Sequence, residues 1–199
     1  DKTVRWHCRG HMPHAERQGA MQGVTFRLAD AIHPEALRRI SQSPLEVGSR
    51  TYLQQINELL DRGHGDCVLG HPAIAARLVD ILRHFDGQRY SLHAWVVMPN
   101  HVHALVEPCP GWTLSQVMDG WKSFSAQEIS RMVSRRGPLG ERESFDRMIR
   151  DAEHYYRSIE YIHLNPVTAG LVERAQDWAP SSARLWQEGV LPPLLSSSS

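Results

Sequence analysis

Long apolar runs are missing from this chain of 199 residues: nowhere do about 18 apolar residues follow one another, so no membrane-spanning helix is expected. Residues 1–5 lack the basic-then-apolar pattern of a secretory signal, which leaves the cytoplasm as the expected compartment. Cysteine is scarce. Cys8, Cys67 and Cys109 form no CxxC pair, which argues against a disulfide framework or a cysteine-rich zinc site. An HExxH motif is absent as well, so a zinc peptidase is disfavoured, as is a zinc deaminase for want of cysteine ligands. Neither sign of charge is in excess, with 22 Lys+Arg against 22 Asp+Glu, so no globally basic nucleic-acid binder is indicated. Local patches survive the zero sum: residues 121–150 carry seven basic and four acidic side chains, and residues 1–30 carry five and three. There is no internal repeat, and the only low-complexity stretch is the terminal serine run, residues 196–199.

What is present suits a folded domain. Apolar residues make up 41% and charged residues 22%, and the length fits one domain with appendages. We read residues 1–21 as an N-terminal extension, 22–179 as the catalytic domain and 180–199 as a tail that is mobile at its end. Residues 24–28 alternate as a strand. Residues 51–60 read as a helix, with Leu53, Ile56 and Leu60 on one face. Pro72 opens another helix, striped by Ile74, Leu78, Ile81, Leu82 and Phe85 and ended by Gly87. Two strands follow, 90–98 and 101–107, and the short Pro99-Asn100 link between them predicts an antiparallel hairpin. A helix over 113–135 is expected, kinked or split near Gly120, then a loop marked by Gly137-Pro138 and Gly140. Asp151 caps a last helix running to about Asn165, where Pro166 discourages continuation. Strand, helices, hairpin, helices is the order of an α+β, ferredoxin-like antiparallel sheet with helices packed mainly on one face.

Two local patterns carry chemistry. In His101-Val102-His103 the histidines share one face of a strand, about 6.6 Å apart along it, and two imidazoles there can converge on one cation. A histidine-rich chain (12 in all) also produces such triplets by accident, as half-buried or surface residues. Tyr161 and Asn165 lie four apart, one above the other on a helix. The plainer alternative is a packed tyrosine and an asparagine that ends the helix. Taken together, two imidazole nitrogens and an amide oxygen suit a divalent cation such as Mg²⁺ or Mn²⁺. Such a cation polarises a phosphodiester for attack by a tyrosine hydroxyl, which splits one displacement into two. About one phenol in a thousand is ionised at pH 7, so the tyrosine needs activation. His163 is a weak candidate base. Tyr155 and Tyr156 lack an amide four residues on.

The chain resembles the REP-associated tyrosine transposases, a branch of the single-tyrosine HUH transposases. The resemblance runs from about Trp6 to Leu171. It is carried by Thr25-Phe26-Arg27-Leu28-Ala29-Asp30, Met98-Pro99-Asn100-His101-Val102-His103, Trp121-Lys122-Ser123, the run Phe145 to Asp151, and Tyr161-Ile162 through Asn165-Pro166. Gly140 and Gly23 depart from the family's pattern, which has bulkier residues there. The resemblance implies an HUH core in which His101 and His103 are metal ligands, Asn165 completes the metal site and Tyr161 is the nucleophile. The implied reaction is metal-dependent cleavage and strand transfer of single-stranded DNA at REP-type hairpins through a 5′-phosphotyrosine. It implies a monomer or a homodimer in a bacterial cytoplasm. Lys122, Arg131, Arg135, Arg147 and Arg150 are candidate phosphate contacts, and Trp121 is a candidate stacking platform. A solvated charged helix face, or a buried tryptophan, would look the same in sequence. The competing functions are a domesticated hairpin-DNA-binding protein without catalysis and a replication- or conjugation-type HUH nickase.

Overall fold

A computed structural model describes residues 5–9, 12–16, 19–45, 49–133 and 140–187. Arg135 and the end of the tail lie outside the described residues. The order is β1 (Arg5–Arg9), β2 (Met12–Glu16), β3 (Gln22–Leu28), α1 (Pro34–Ser41), α2 (Arg50–Asp61), α3 (Pro72–Arg83), β4 (Tyr90–Val97), β5 (His101–Pro108), α4 (Leu114–Val133), β6 (Gly140–Met148), α5 (Ala152–Thr168) and α6 (Ala183–Gln187). β1 and β2 pair as a separate hairpin that the sequence did not announce. The main sheet has the order β4-β5-β3-β6 and every neighbouring pair is antiparallel. With β3 as its first strand, that is the split order of a ferredoxin-like sheet, in agreement with the sequence-based expectation.

Alternation decides what each face does. Val24, Phe26 and Leu28 of β3 and Val102, Ala104 and Val106 of β5 face a core shared with α1 to α4. Leu105, Ala94 and Val96 face the other way, against Tyr155, Ile159 and Ile162 of α5. In β4 the register shifts between Leu92 and Ala94. That bulge changes the parity, so Leu92, Trp95 and Val97 all join the first core. Most helices therefore lie on one face, and α5 with the segment after it covers the second. Each fully buried side chain of the size of Ile159 or Ile162 contributes about 1.5–3 kcal/mol, enough to pin α5 to the sheet.

Three local expectations are corrected. α4 is one helix through Gly120, without a split. α5 passes through Pro166 to Thr168, because a proline removes one backbone hydrogen bond without ending a helix whose face is held by packing. β6, where a loop was expected at Gly140, is an edge strand. Its sequence, GERESFDRM, is too charged to alternate, and charged residues are what keep an edge from pairing with other chains. The opposite edge is covered from within: Val97 N donates to Pro180 O at 2.8 Å and Ser182 N to Trp95 O at 3.0 Å. The chain thus continues against the sheet beyond residue 179. Among the described residues no helix is long and apolar enough to cross a membrane.

Candidate active site

β5 presents His101 and His103 on the face that α5 covers, and both are buried. Their Nε2 atoms stand 3.0 Å apart and their rings meet edge to face. Each ring is held from behind. Asn100, itself buried, uses its amide nitrogen on the carbonyls of Leu60 (3.2 Å) and His64 (3.1 Å). Its Oδ1 is therefore the acceptor that faces His101 Nδ1 at 2.7 Å. That fixes the tautomer: His101 carries its proton on Nδ1 and turns a lone pair out at Nε2. His103 Nδ1 shares a 2.7 Å hydrogen bond with Thr25 Oγ1, from the residue directly opposite in β3. A hydroxyl either donates or accepts. Thr25 thus accommodates His103 with its proton on Nε2, bonded to His101, or on Nδ1, with the Nε2 lone pair free.

α5 supplies the next two groups. Asp151 caps it by accepting from His154 N at 2.7 Å, and Ile159 and Ile162 seat it. Tyr161 then lies with its ring 5.4 Å from that of His103, at 71°, and Asn165, one turn on, is buried. One chain therefore brings His101, His103, Tyr161 and Asn165 together. Tyr161 as a residue is 43% exposed, and Asn165 and Asn57 lie near enough to its phenol to oppose the effect of burial on it. α2 completes the surround with Asn57 and Asp61, again four apart on one helix face. Asn165 lies near enough to the Asp61 carboxylate to oppose the rise in its value, and Asn165 Oδ1 is buried without a hydrogen-bond partner.

Burial governs the electrostatics. It holds His103 down to about 3 and, with the neighbouring His103 ring, holds His101 well below the ordinary imidazole value. Both rings are neutral at pH 7, so no proton competes with a cation for Nε2. Burial raises the Tyr161 phenol above its ordinary value, and the nearby Asp61 adds to this. Burial, with Glu58, raises Asp61 to about 6.

These residues fit a divalent cation. Two neutral imidazoles face inward with their far nitrogens tied to fixed partners, the arrangement that orients metal-binding histidines. The orphaned Asn165 Oδ1 is an oxygen donor without a proton to satisfy it. Among the described residues no three His, Cys, Asp or Glu side chains form a cage by themselves, so the amide is a needed member of the set.

The candidate nucleic-acid contacts separate. Trp121 is buried in the core, its Nε1–H donating to Tyr90 Oη at 2.9 Å. That corrects its reading as a stacking platform, since no face of the ring is open to a base. Lys122 and Arg131 ride on the same helix, which covers the sheet face away from the histidines, and Arg131 pairs with Glu128 at 2.7 Å. Arg147 and Arg150 gather at the start of α5, where their charges add to burial in lowering His154. Arg135 lies outside the described residues. His163 is engaged elsewhere, its Nε2 2.7 Å from Ser182 Oγ. Tyr155 is buried and shares a 3.2 Å hydrogen bond with His93 Nδ1. Sequence reasoning gave no role to Asp61, Asn57 or Thr25 and read Asn100 only as a turn residue. The Thr25–His103 pairing depends on sheet register, and Asp61 stands at a helix end with no motif around it.

Residues 69–145 match the family model "Transposase IS200 like". The match takes in His101 and His103 and ends before Tyr161. The REP-associated tyrosine transposase of Escherichia coli (strain K12) is 29% identical over 92 residues, 45% of this chain and 52% of that one. The chain is thus matched to about half the length of that curated relative. The solved structure of the REP-associated tyrosine transposase bound to a REP hairpin superposes with a TM-score of 0.55 at 16% identity, over 94% of this chain and 87% of that one. The two share a fold, and the resemblance read from the sequence is borne out.

Proposed function

We propose that this chain, similar to the IS200-like transposases, cuts and rejoins single-stranded DNA beside a REP-type hairpin through a 5′-phosphotyrosine on Tyr161. The observation that carries the reading is the convergence, within one chain, of a part-exposed tyrosine and two buried imidazoles whose Nε2 atoms stand 3.0 Å apart. His101, His103 and Asn165 would hold Mg²⁺ or Mn²⁺. Such a cation polarises a non-bridging phosphate oxygen and withdraws charge from phosphorus.

The chain's own groups do the rest. Asn57 and Asn165, close to the Tyr161 phenol, would orient its hydroxyl. Tyr161 Oη forms a bond to phosphorus as the P–O3′ bond breaks. The phenol proton is lost and the departing 3′-oxygen gains one, so the products are a phosphotyrosine on the 5′ end and a free 3′-OH. Attack of a 3′-OH on the phosphotyrosine reverses these changes and rejoins a strand without an external energy source. Arg147 and Arg150, near the start of α5, would contact the phosphate backbone of the strand in this reading. In this reading Tyr161 serves the histidines of its own chain, in a monomer or in each subunit of a homodimer. The compartment is a bacterial cytoplasm.

The test incubates the protein and Tyr161→Phe with single-stranded hairpin DNA and Mn²⁺ and looks for a denaturant-resistant protein–DNA adduct. The native chain is expected to form it and Tyr161→Phe to bind DNA without forming it. An adduct on Tyr161→Phe would exclude Tyr161 as nucleophile. Binding without adduct for both proteins, in Mg²⁺ and Mn²⁺ alike, would favour a non-catalytic hairpin binder.

A further inference from the structure

The helix that carries Tyr161 has an outer side that the reaction above leaves unused. Counting back from Tyr161 by four and then by three gives Arg157 and His154, so the three form one stripe along α5. Tyr155, Ile159 and Ile162 take the opposite side and are buried against the sheet. The stripe therefore faces outward, with the Arg157 side chain 62% exposed. His154 lies seven residues from Tyr161, about 10 Å along the helix axis. Arg150 and Arg147 precede it in the chain, and both lie near enough to act on its ring.

Charge and hydrogen bonding along the stripe suit phosphate. Burial lowers His154, and the charges of Arg147, Arg150 and Arg157 lower it further, against Asp151. His154 is therefore neutral at pH 7. Its Nδ1 accepts from Arg150 N at 3.3 Å, so its proton is on Nε2, where it is a donor. The acids nearby do not cancel the patch. Asp151 is committed to the helix start, accepting from His154 N at 2.7 Å. Glu153 and Glu160 lie along the neighbouring side of the helix. Glu153 holds Arg157 at 3.0 Å, but the two side chains are 77% and 62% exposed. Such a pair is screened and weakly held, so Arg157 can exchange it for a phosphate oxygen. We infer that the DNA strand attacked by Tyr161 runs along α5 toward its N-terminal end, with Arg157 and His154 contacting the phosphates next to the one attacked, on the way to Arg150 and Arg147. The occupant is a single strand and not the hairpin stem, because the stripe is one side chain wide and starts at the nucleophile. The inference rests on Tyr161 being that nucleophile, as proposed above.

The experiment measures binding by fluorescence anisotropy over a series of salt concentrations, in EDTA so that nothing is cut. Two DNAs are used: a REP-type hairpin with a single-stranded flank, and the same stem without a flank. Adduct formation on the flanked DNA is followed separately in Mn²⁺, and thermal melts check that each variant folds. Arg157→Gln is expected to bind the flanked DNA about 3–10-fold more weakly and to reduce the steepness of its salt dependence by about 0.7, the value of one phosphate contact on a single strand. Arg157→Lys should restore that steepness. His154→Ala should weaken the same DNA without changing the steepness, since it removes a neutral donor. All three should bind the flankless stem like the native chain. Arg157, being exposed, carries the test should His154→Ala not fold. Native affinity and salt dependence in Arg157→Gln would overturn the inference, and so would equal losses on both DNAs, because the patch would then serve the stem. In either case an adduct on the native chain leaves the role of Tyr161 standing. No adduct on the native chain in Mn²⁺ would overturn that role and the strand path with it.

Discussion

Thr25 and His103 stand directly opposite each other in β3 and β5, and their side chains share a 2.7 Å hydrogen bond, Oγ1 to Nδ1, in the buried face of the sheet. The contact makes a residue of the first strand responsible for the aim of an imidazole on the third. Because the threonine hydroxyl serves as donor or acceptor, it supports His103 in either tautomer, a freedom that a backbone carbonyl would not give.

Thr25→Val keeps the shape and removes that partner. Mn²⁺ affinity should fall about 10–100-fold, and stability by about 1–3 kcal/mol for the buried nitrogen left alone. Thr25→Ser should restore most of both. Mn²⁺ titration and urea unfolding read the two effects separately, and Thr25→Val with native Mn²⁺ affinity would show that the register contact does not orient the ring.

Trp121→Phe removes an N–H donor to Tyr90 Oη, whose own proton goes to Leu82 O at 2.7 Å. A loss of about 1–3 kcal/mol in urea unfolding is expected, with hairpin-DNA affinity in gel shift unchanged. A large fall in DNA affinity at native stability would return Trp121 to the nucleic-acid surface.

Ser182 Oγ accepts from Trp95 N at 3.0 Å and lies 2.7 Å from His163 Nε2, so one hydroxyl joins the segment after residue 179 to both β4 and α5. Ser182→Ala strands two buried groups. We expect a loss of about 1–3 kcal/mol and faster proteolysis near residue 180, read by urea unfolding and limited digestion. Native stability would show that the segment is not part of the cooperative unit.

Acid should destabilise the fold from near pH 6.5 downward. Burial holds His163 at about 4 against an ordinary 6.5 and also lowers His93, His101 and His103, which act in the same sense. A base whose folded value is depressed takes up its proton first in the unfolded chain. Its contribution is therefore complete above about pH 6.5 and is lost as pH falls toward 4. For His163 this amounts to about 2 kcal/mol between pH 7.5 and 5. Asp61, raised from 3.8 to about 6, acts in the opposite sense: its contribution is present below 3.8 and lost as pH rises through 6. Urea unfolding of the native chain and of His163→Gln, which does not titrate, separates the two, and the variant should be flatter over pH 7.5–5. Equal slopes would show that His163 does not govern the acid limb.

Local pattern made part of this site legible. Alternation alone puts His101 and His103 on one face and Val102, Ala104 and Val106 on the other, and the four-residue spacing alone stacks Tyr161 on Asn165. The buried stripes of α2 and α3 were readable for the same reason. β6 was not, because its charged residues hide the period of two. The extension of α5 through Pro166 was not, because packing against the sheet outweighed one missing hydrogen bond.

Sequence by itself determined which residues share a face within each element, since backbone geometry sets those periods residue by residue. Only the tertiary structure decided that Thr25 meets His103, that Asn100 ties the hairpin turn to the end of α2, and that Asp61 comes within 3.9 Å of His101. Those are contacts between segments tens of residues apart. They depend on sheet register and helix seating, which arise from the packing of the whole chain and leave no trace in any local run of residues.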